Sequence, residues 1–151
     1  MTQTRQFDAA ELALERALDH VQAAAIINTQ CWPLLLRRGK LAQARELAVH
    51  WADEVEPRIS RATSSELSTW GWLLLRLSAA AIRDNRPGEA EEALRIAHSA
   101  AVALGQECTP EGDFLRTFGP VTVALKRTEN AMVAGQSDKV LTSPPASRHT
   151  A

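Results

Sequence analysis

The stretch Thr63–Ala90, TSSELSTWGWLLLRLSAAAIRDNRPGEA, decides how this chain is read. It opens on Thr63-Ser64-Ser65-Glu66, a capping box in which the threonine hydroxyl and the glutamate carboxylate each satisfy a backbone N–H left over at a helix start. Leu67, Trp70, Leu74, Leu77 and Ala81 then fall on one helical stripe, and Trp72, Leu73 and Leu75 cover much of the remaining circumference. A helix apolar nearly all round has to be packed on several sides, which places it in the middle of a helical array. Asp84–Gly88 reads as a turn, and a new helix follows from Glu89.

The neighbouring segments extend the pattern in both directions. Glu89–Leu104 turns Ala90, Ala93, Leu94, Ala97, Ala101 and Leu104 inward and stops at Gly105. Upstream, Leu41–Val55 places Leu41, Ala44, Leu47, Ala48, Trp51 and Val55 at helical spacing and ends at Glu56-Pro57. Before it an apolar pattern runs from Ala23–Ile27 to Leu34–Leu36 and closes at Arg37-Arg38-Gly39. A bend or break is expected between Asn28 and Pro33, because the proline has no N–H and its ring meets the carbonyl of Thr29. Asp8–Leu18 is a further helix, with Asp8 as its N-cap. Downstream, a polar loop over Gly105–Asp113 and a short approach over Phe114–Phe118 lead to Gly119-Pro120. Pro120–Ala134 is the last helix, with Val121, Ala124, Leu125, Thr128 and Met132 on one face, and Gly135 ends it. Residues 8–135 therefore read as a helical array and 136–151, polar and interrupted by Pro144-Pro145, as a disordered tail.

Composition agrees with an all-α fold. Among 151 residues there are 26 Ala and 18 Leu but no Tyr and only three Phe, which excludes a β-sandwich or barrel. Lys and Arg number 17 against 18 Asp and Glu, so the basic excess of a duplex-binding domain is missing and direct nucleic-acid binding by this chain is not expected. The longest apolar runs are too short for a bilayer span, and no apolar stretch follows the charge near Met1. Two cysteines, Cys31 and Cys108, make no disulfide framework. A cytoplasmic protein without membrane contact is the expectation.

Three junctions look alike: Arg38-Gly39-Lys40-Leu41-Ala42-Gln43-Ala44, Asp84-Asn85-Arg86-Pro87-Gly88-Glu89-Ala90 and Ala134-Gly135-Gln136-Ser137-Asp138-Lys139-Val140. Their turn residues Gly39, Asn85 and Gly135 are separated by 46 and 50 positions. A period of that size is the mark of antiparallel helix pairs stacked as a short α-solenoid, each pair burying its stripe on the next.

The segments Glu66–Leu75, Ala90–Gly105 and Phe118-Gly119-Pro120-Val121-Thr122-Val123-Ala124-Leu125-Lys126 resemble the C-terminal, tetratricopeptide-like region of bacterial Xre-type helix-turn-helix transcriptional regulators. The resemblance runs over roughly residues 9–141, with Phe-Gly-Pro its most distinctive part; the family often carries Asn at the position of Thr122 and His at that of Lys126. It implies a tetratricopeptide-like array acting as the effector half of such a regulator, a ligand-sensing or interaction module. No unit with a basic recognition helix is read before Leu41, so the DNA-reading half is not part of this reading.

Motifs for catalysis are missing. His20, His50, His98 and His149 show no H-E-x-x-H spacing, and the chain has no C-x-x-C, G-x-S-x-G, P-loop or G-x-G-x-x-G. A non-enzyme without cofactor or metal is therefore expected, with a stand-alone protein–protein adaptor as the alternative and a small enzyme or ligand carrier behind both. In a stack of helix pairs the first helix of each pair lines the concave face. Asn28, Trp72, Arg76, Thr122 and Lys126 on those helices are the candidate groove residues. Arg76 interrupts the apolar run Leu73–Leu77, where a charge has to reach solvent or a partner. Lys126-Arg127 also reads as a solvated face, and Trp51 and Trp70 read as core. A protein, a peptide or a small molecule is the expected partner, and the uncapped end of the array favours a homodimer.

Overall fold

The computed structural model describes residues 22–24, 26–28, 32–109 and 117–142; the expected helix at Asp8–Leu18 lies outside them. Regular structure among the described residues is helical, with no strand and one isolated antiparallel bridge between Cys108 and Phe118. Residues 22–24 and 26 are α-helical and 27–28 form a π-turn. Helix α1 spans Trp32–Arg37, α2 Leu41–Glu54, α3 Ser64–Arg83, α4 Pro87–Leu104 and α5 Pro120–Thr142. A short 3-10 turn, Ile59–Arg61, leads into α3. Pro33 is the second residue of α1. Residues 29–31, where most of the expected bend between Asn28 and Pro33 falls, lie outside the described residues.

The ends of α1 and α3 have the same geometry. Gly39 (φ 68°) and Asn85 (φ 56°) both lie in the left-handed region. Each is followed by an N–H that reaches back five residues, Lys40 to the carbonyl of Leu35 at 3.0 Å and Arg86 to that of Ala81 at 2.9 Å. This is the six-to-one bond that closes a helix and turns the chain for an antiparallel return. The start of α3 is the capping box expected from sequence, Thr63 and Glu66 each accepting the other's backbone N–H at 3.2 Å.

Packing follows chain order. α2 lies against α1 and α3, α4 against α3 and α5, and α3 also touches α5. The core gathers in two clusters. Leu67, Trp70, Leu73, Leu74 and Leu75 of α3 meet Leu94, Ala97, Ala100 and Ala101 of α4, Phe118, and Val123 of α5. Trp32 of α1, Ala44 and Ala48 of α2, Leu77 and Ala80 of α3, and Ala93 of α4 form the second. Alanines on the facing sides of α2 and α4 let these helices approach α3 closely, while the leucines of α3 fill the space between; burying each leucine contributes about 1.5–3 kcal/mol. Helix α3 thus occupies the centre, as its all-round apolar character requires.

Two expectations for the last helix need correction. Gly135 does not end it: α5 runs on to Thr142, and Gly135 has no positive φ. A glycine inside a helix costs only about 1 kcal/mol relative to alanine, so without a Schellman closure it does not stop the chain. The third junction is therefore a continuous helix, and residues 136–142 are not a disordered tail; 143–151 lie outside the described residues. The face Val121, Ala124, Leu125, Thr128 and Met132 is the exposed one, with Val121, Leu125 and Met132 at 58%, 60% and 61% exposure. Among the residues of α5 whose burial is described, 120–135, Val123 and Asn130 are buried.

Candidate binding groove

Three contacts hold α5 in place, two at Phe-Gly-Pro and one farther along the helix. Phe118 is fully buried and its ring fills the space beside Gly71, where an added Cβ would sit 2.1 Å from Phe118 Cζ. Gly71 is thus the socket for Phe118. Glu107 closes the start of α5: its carboxylate accepts the N–H of Val121 at 2.5 Å, the N–H of Thr122 at 3.0 Å and the Thr122 hydroxyl at 2.7 Å. A carboxylate at this end also suits the helix dipole. Further along, buried Asn130 donates to the Ser78 hydroxyl of α3.

With α5 held in this way, Lys126 comes over Trp72. Its Nζ lies 5.9 Å from the ring centroid. On the same ring, and one helical turn along α3, the Arg76 guanidinium carbon lies 5.4 Å from the Trp72 centroid; it is 4.8 Å from that of Trp32 on α1. Trp32, Arg76, Trp72 and Lys126 therefore make a continuous chain of cation–aromatic contacts from α1 across α3 to α5. Each such contact is worth about 0.5–2 kcal/mol, more as water is excluded. Arg76 and Trp72 are half-buried and Trp32 is 3% exposed. Lys126 is also bonded to Glu129 at 2.7 Å.

Of the five candidates read from sequence, Trp72, Arg76 and Lys126 meet in this chain of contacts. Lys126 is not the plain solvated residue its neighbour suggests, whereas Arg127 is exposed and pairs with Glu91 of α4. Asn28 is buried beside the group: its Nδ2 donates to the carbonyl of Thr69 at 3.3 Å, one turn before Trp72, tying residues 26–28 to α3. Thr122 serves the start of α5 through Glu107 and does not join the cluster. Trp70 is core, and Trp51 is half-buried against it. Trp32 is the member that sequence reasoning did not select. It lies far from α3 in the chain, so no local spacing tells which face of α3 it meets. Two buried polar atoms at this edge, Trp32 Nε1 and Asn28 Oδ1, make no hydrogen bond, a deficit of about 1–3 kcal/mol each.

On the opposite side, Arg45 of α2 bonds Asp84 at 2.9 Å and both carboxylate oxygens of Glu89, at 3.2 and 3.0 Å. This clasp ties α2 to the α3–α4 turn over sequence separations of 39 and 44 residues, which is why no local motif announces it. A shallow cavity of about 260 Å3 beside it is lined by Arg45, Glu46, Val49, His50 and Glu89. The donors of Arg45 are already taken there, so the cavity offers less to a ligand than the tryptophan cluster. No described helix is long and apolar enough to cross a membrane. Compared with protein-family models, with curated proteins and with solved structures, the chain matches none.

Proposed function

We propose that this chain is a non-catalytic interaction or ligand-sensing module, a short tetratricopeptide-like array that works as the effector region of a helix-turn-helix transcriptional regulator does, and that it binds through the face made by α1, α3 and α5. The observation that carries this reading is the chain of contacts Trp32–Arg76–Trp72–Lys126 across three helices. A half-buried tryptophan flanked by two cations is a natural anchor for a protein segment, a peptide or a small molecule. The identical closures of α1 and α3, 46 residues apart, support the repeat architecture, in which such a face is concave. Occupancy would act by shifting the packing of one helix pair on the next, or by changing self-association, since a ligand moves an equilibrium only through differential affinity for its states.

Panning a random peptide display library on the purified chain, with the Trp72→Ala variant as counter-selection, tests this. Sequences retained by the wild type and lost on the variant support it; equal retention on both overturns it. The exposed stripe Val121, Leu125 and Met132 favours a second reading, a protein–protein adaptor or homodimer that docks through α5. Under that reading Leu125→Glu, and not Trp72→Ala, abolishes the interaction. Sedimentation that finds only monomer at high concentration argues against the homodimer.

A further inference from the structure

Val121, Leu125 and Met132 of α5 are 58%, 60% and 61% exposed, and Ala124, Thr128 and Ala131 beside them are exposed too. At 3.6 residues per turn these six lie on the far side of the helix from buried Val123 and Asn130. The charged residues of 120–135, Lys126, Arg127 and Glu129, all fall outside that sector. Lys126 pairs with Glu129, and Arg127 with Glu91, so the charges at its borders are already answered. The Thr128 hydroxyl is satisfied as well, donating to the carbonyl of Ala124 at 3.1 Å. Val102 of α4 is equally exposed at 61% but stands one turn from exposed His98 and Ser99. A single exposed apolar residue needs no partner, whereas a continuous uncharged sector marks a contact surface.

Resting on the second reading above, docking through α5, we infer that this stripe pairs with the same stripe of a second copy of the chain, the two α5 helices antiparallel about a two-fold axis. Val121, Leu125, Thr128 and Met132 are separated by four, three and four residues. That is the seam spacing by which two helices interlock, and neither a strand nor an extended peptide follows it. The stripe is also its own complement. In an antiparallel pair Val121 meets Met132 of the other copy and Leu125 meets Thr128; these pairings share one midpoint, so a single register makes all of them. Each sets a larger side chain against a smaller one. Ala124 and Ala131 on one border allow a close approach, as the alanines of α2 and α4 do against α3. The arrangement also sets opposed helix dipoles side by side. One seam of this length is smaller than a standard interface, so the pairing depends on concentration and dilute samples are monomeric.

Sedimentation equilibrium over a rising concentration series tests this. The wild type should pass from monomer to dimer, Leu125→Glu should weaken self-association at least ten-fold, and Val102→Glu should leave it unchanged. Leu125 and Val102 are both exposed, so the variants keep the fold, which circular dichroism checks. Oxidative cross-linking reads the register, with the wild type as control for its own Cys31 and Cys108. A mixture of Val121→Cys and Met132→Cys should give a mixed disulfide dimer that neither variant gives alone, since like positions stand about 16 Å apart along the axis. Cross-linking of each variant with itself overturns the antiparallel pairing. A wild type that stays monomeric, or an association indifferent to Leu125→Glu or weakened equally by Val102→Glu, overturns the self-pairing. For a monomeric wild type, panning the peptide library with Leu125→Glu as counter-selection separates the two claims. Amphipathic peptides lost on that variant leave docking through α5 standing, and their absence overturns both.

Discussion

Helices α3 and α5 both stand on the proposed binding face and both begin with well-made N-terminal caps, yet they are held by different forces. α3 buries Leu67, Trp70, Leu73, Leu74, Leu75 and Leu77 and is enclosed by α2, α4 and α5. Over its described side chains, 120–135, α5 buries Val123 and Asn130 while its apolar stripe faces outward, and it relies there on Phe118 in the Gly71 socket, on Glu107 and on the Asn130–Ser78 bond. The first helix is kept in place by area and the second by a few attachment points. An apolar stripe therefore does not say where a helix packs; the number of neighbours that reach it does.

Substitutions can break this contrast at its strongest point first. Phe118→Ala should lower unfolding free energy by about 3–5 kcal/mol, because it empties a fully buried site. In urea titrations Gly71→Ala should also destabilise, by about 1–3 kcal/mol through overpacking, and the double variant should lose less than the sum. Additive losses would show that the ring and the glycine do not share a socket. Leu74→Ala should cost about 2–5 kcal/mol in the same titrations while Leu125→Ala stays within about 0.5 kcal/mol. Equal losses at the two leucines would mean that the α5 stripe is covered.

Smaller effects sharpen the same comparison. Asn130→Ala leaves the buried Ser78 hydroxyl without its partner and should cost about 1–3 kcal/mol, with part of the loss recovered in the double variant carrying Ser78→Ala. A full loss in the double variant would assign the effect to packing instead. The two glycines give opposite signs. Gly39→Ala forces a side chain into the left-handed region and should destabilise by about 1 kcal/mol, whereas Gly135→Ala in an open helical position should raise the thermal midpoint through a gain of about 0.5–1 kcal/mol. If Gly135→Ala destabilises, the helix does not pass through that residue as described.

These contrasts also mark what could be read in advance. The Thr63–Glu66 box, the closures at Gly39 and Asn85 and the central place of α3 were legible because each depends on residues within a few positions of one another. Trp72 and Arg76, one turn apart, were legible as neighbours for the same reason. Trp32 was not, since its meeting with Arg76 spans three helices. Glu107 at the start of α5 and the Arg45 clasp on Asp84 and Glu89 escaped notice because their partners come from across a loop or a helix pair. The error at Gly135 came from reading a turn residue without the closing hydrogen bond that makes it a turn.

What the amino-acid order determined unaided is a set of helices and most of their starts and stops. Caps, periodicity and left-handed closures act over about four or five residues, so local physics is sufficient for them. The tertiary structure alone decided that the stripe of α5 faces outward and that Lys126 reaches Trp72. Hydrophobic burial has no direction of its own, and which face loses its water depends on neighbours far away in the chain.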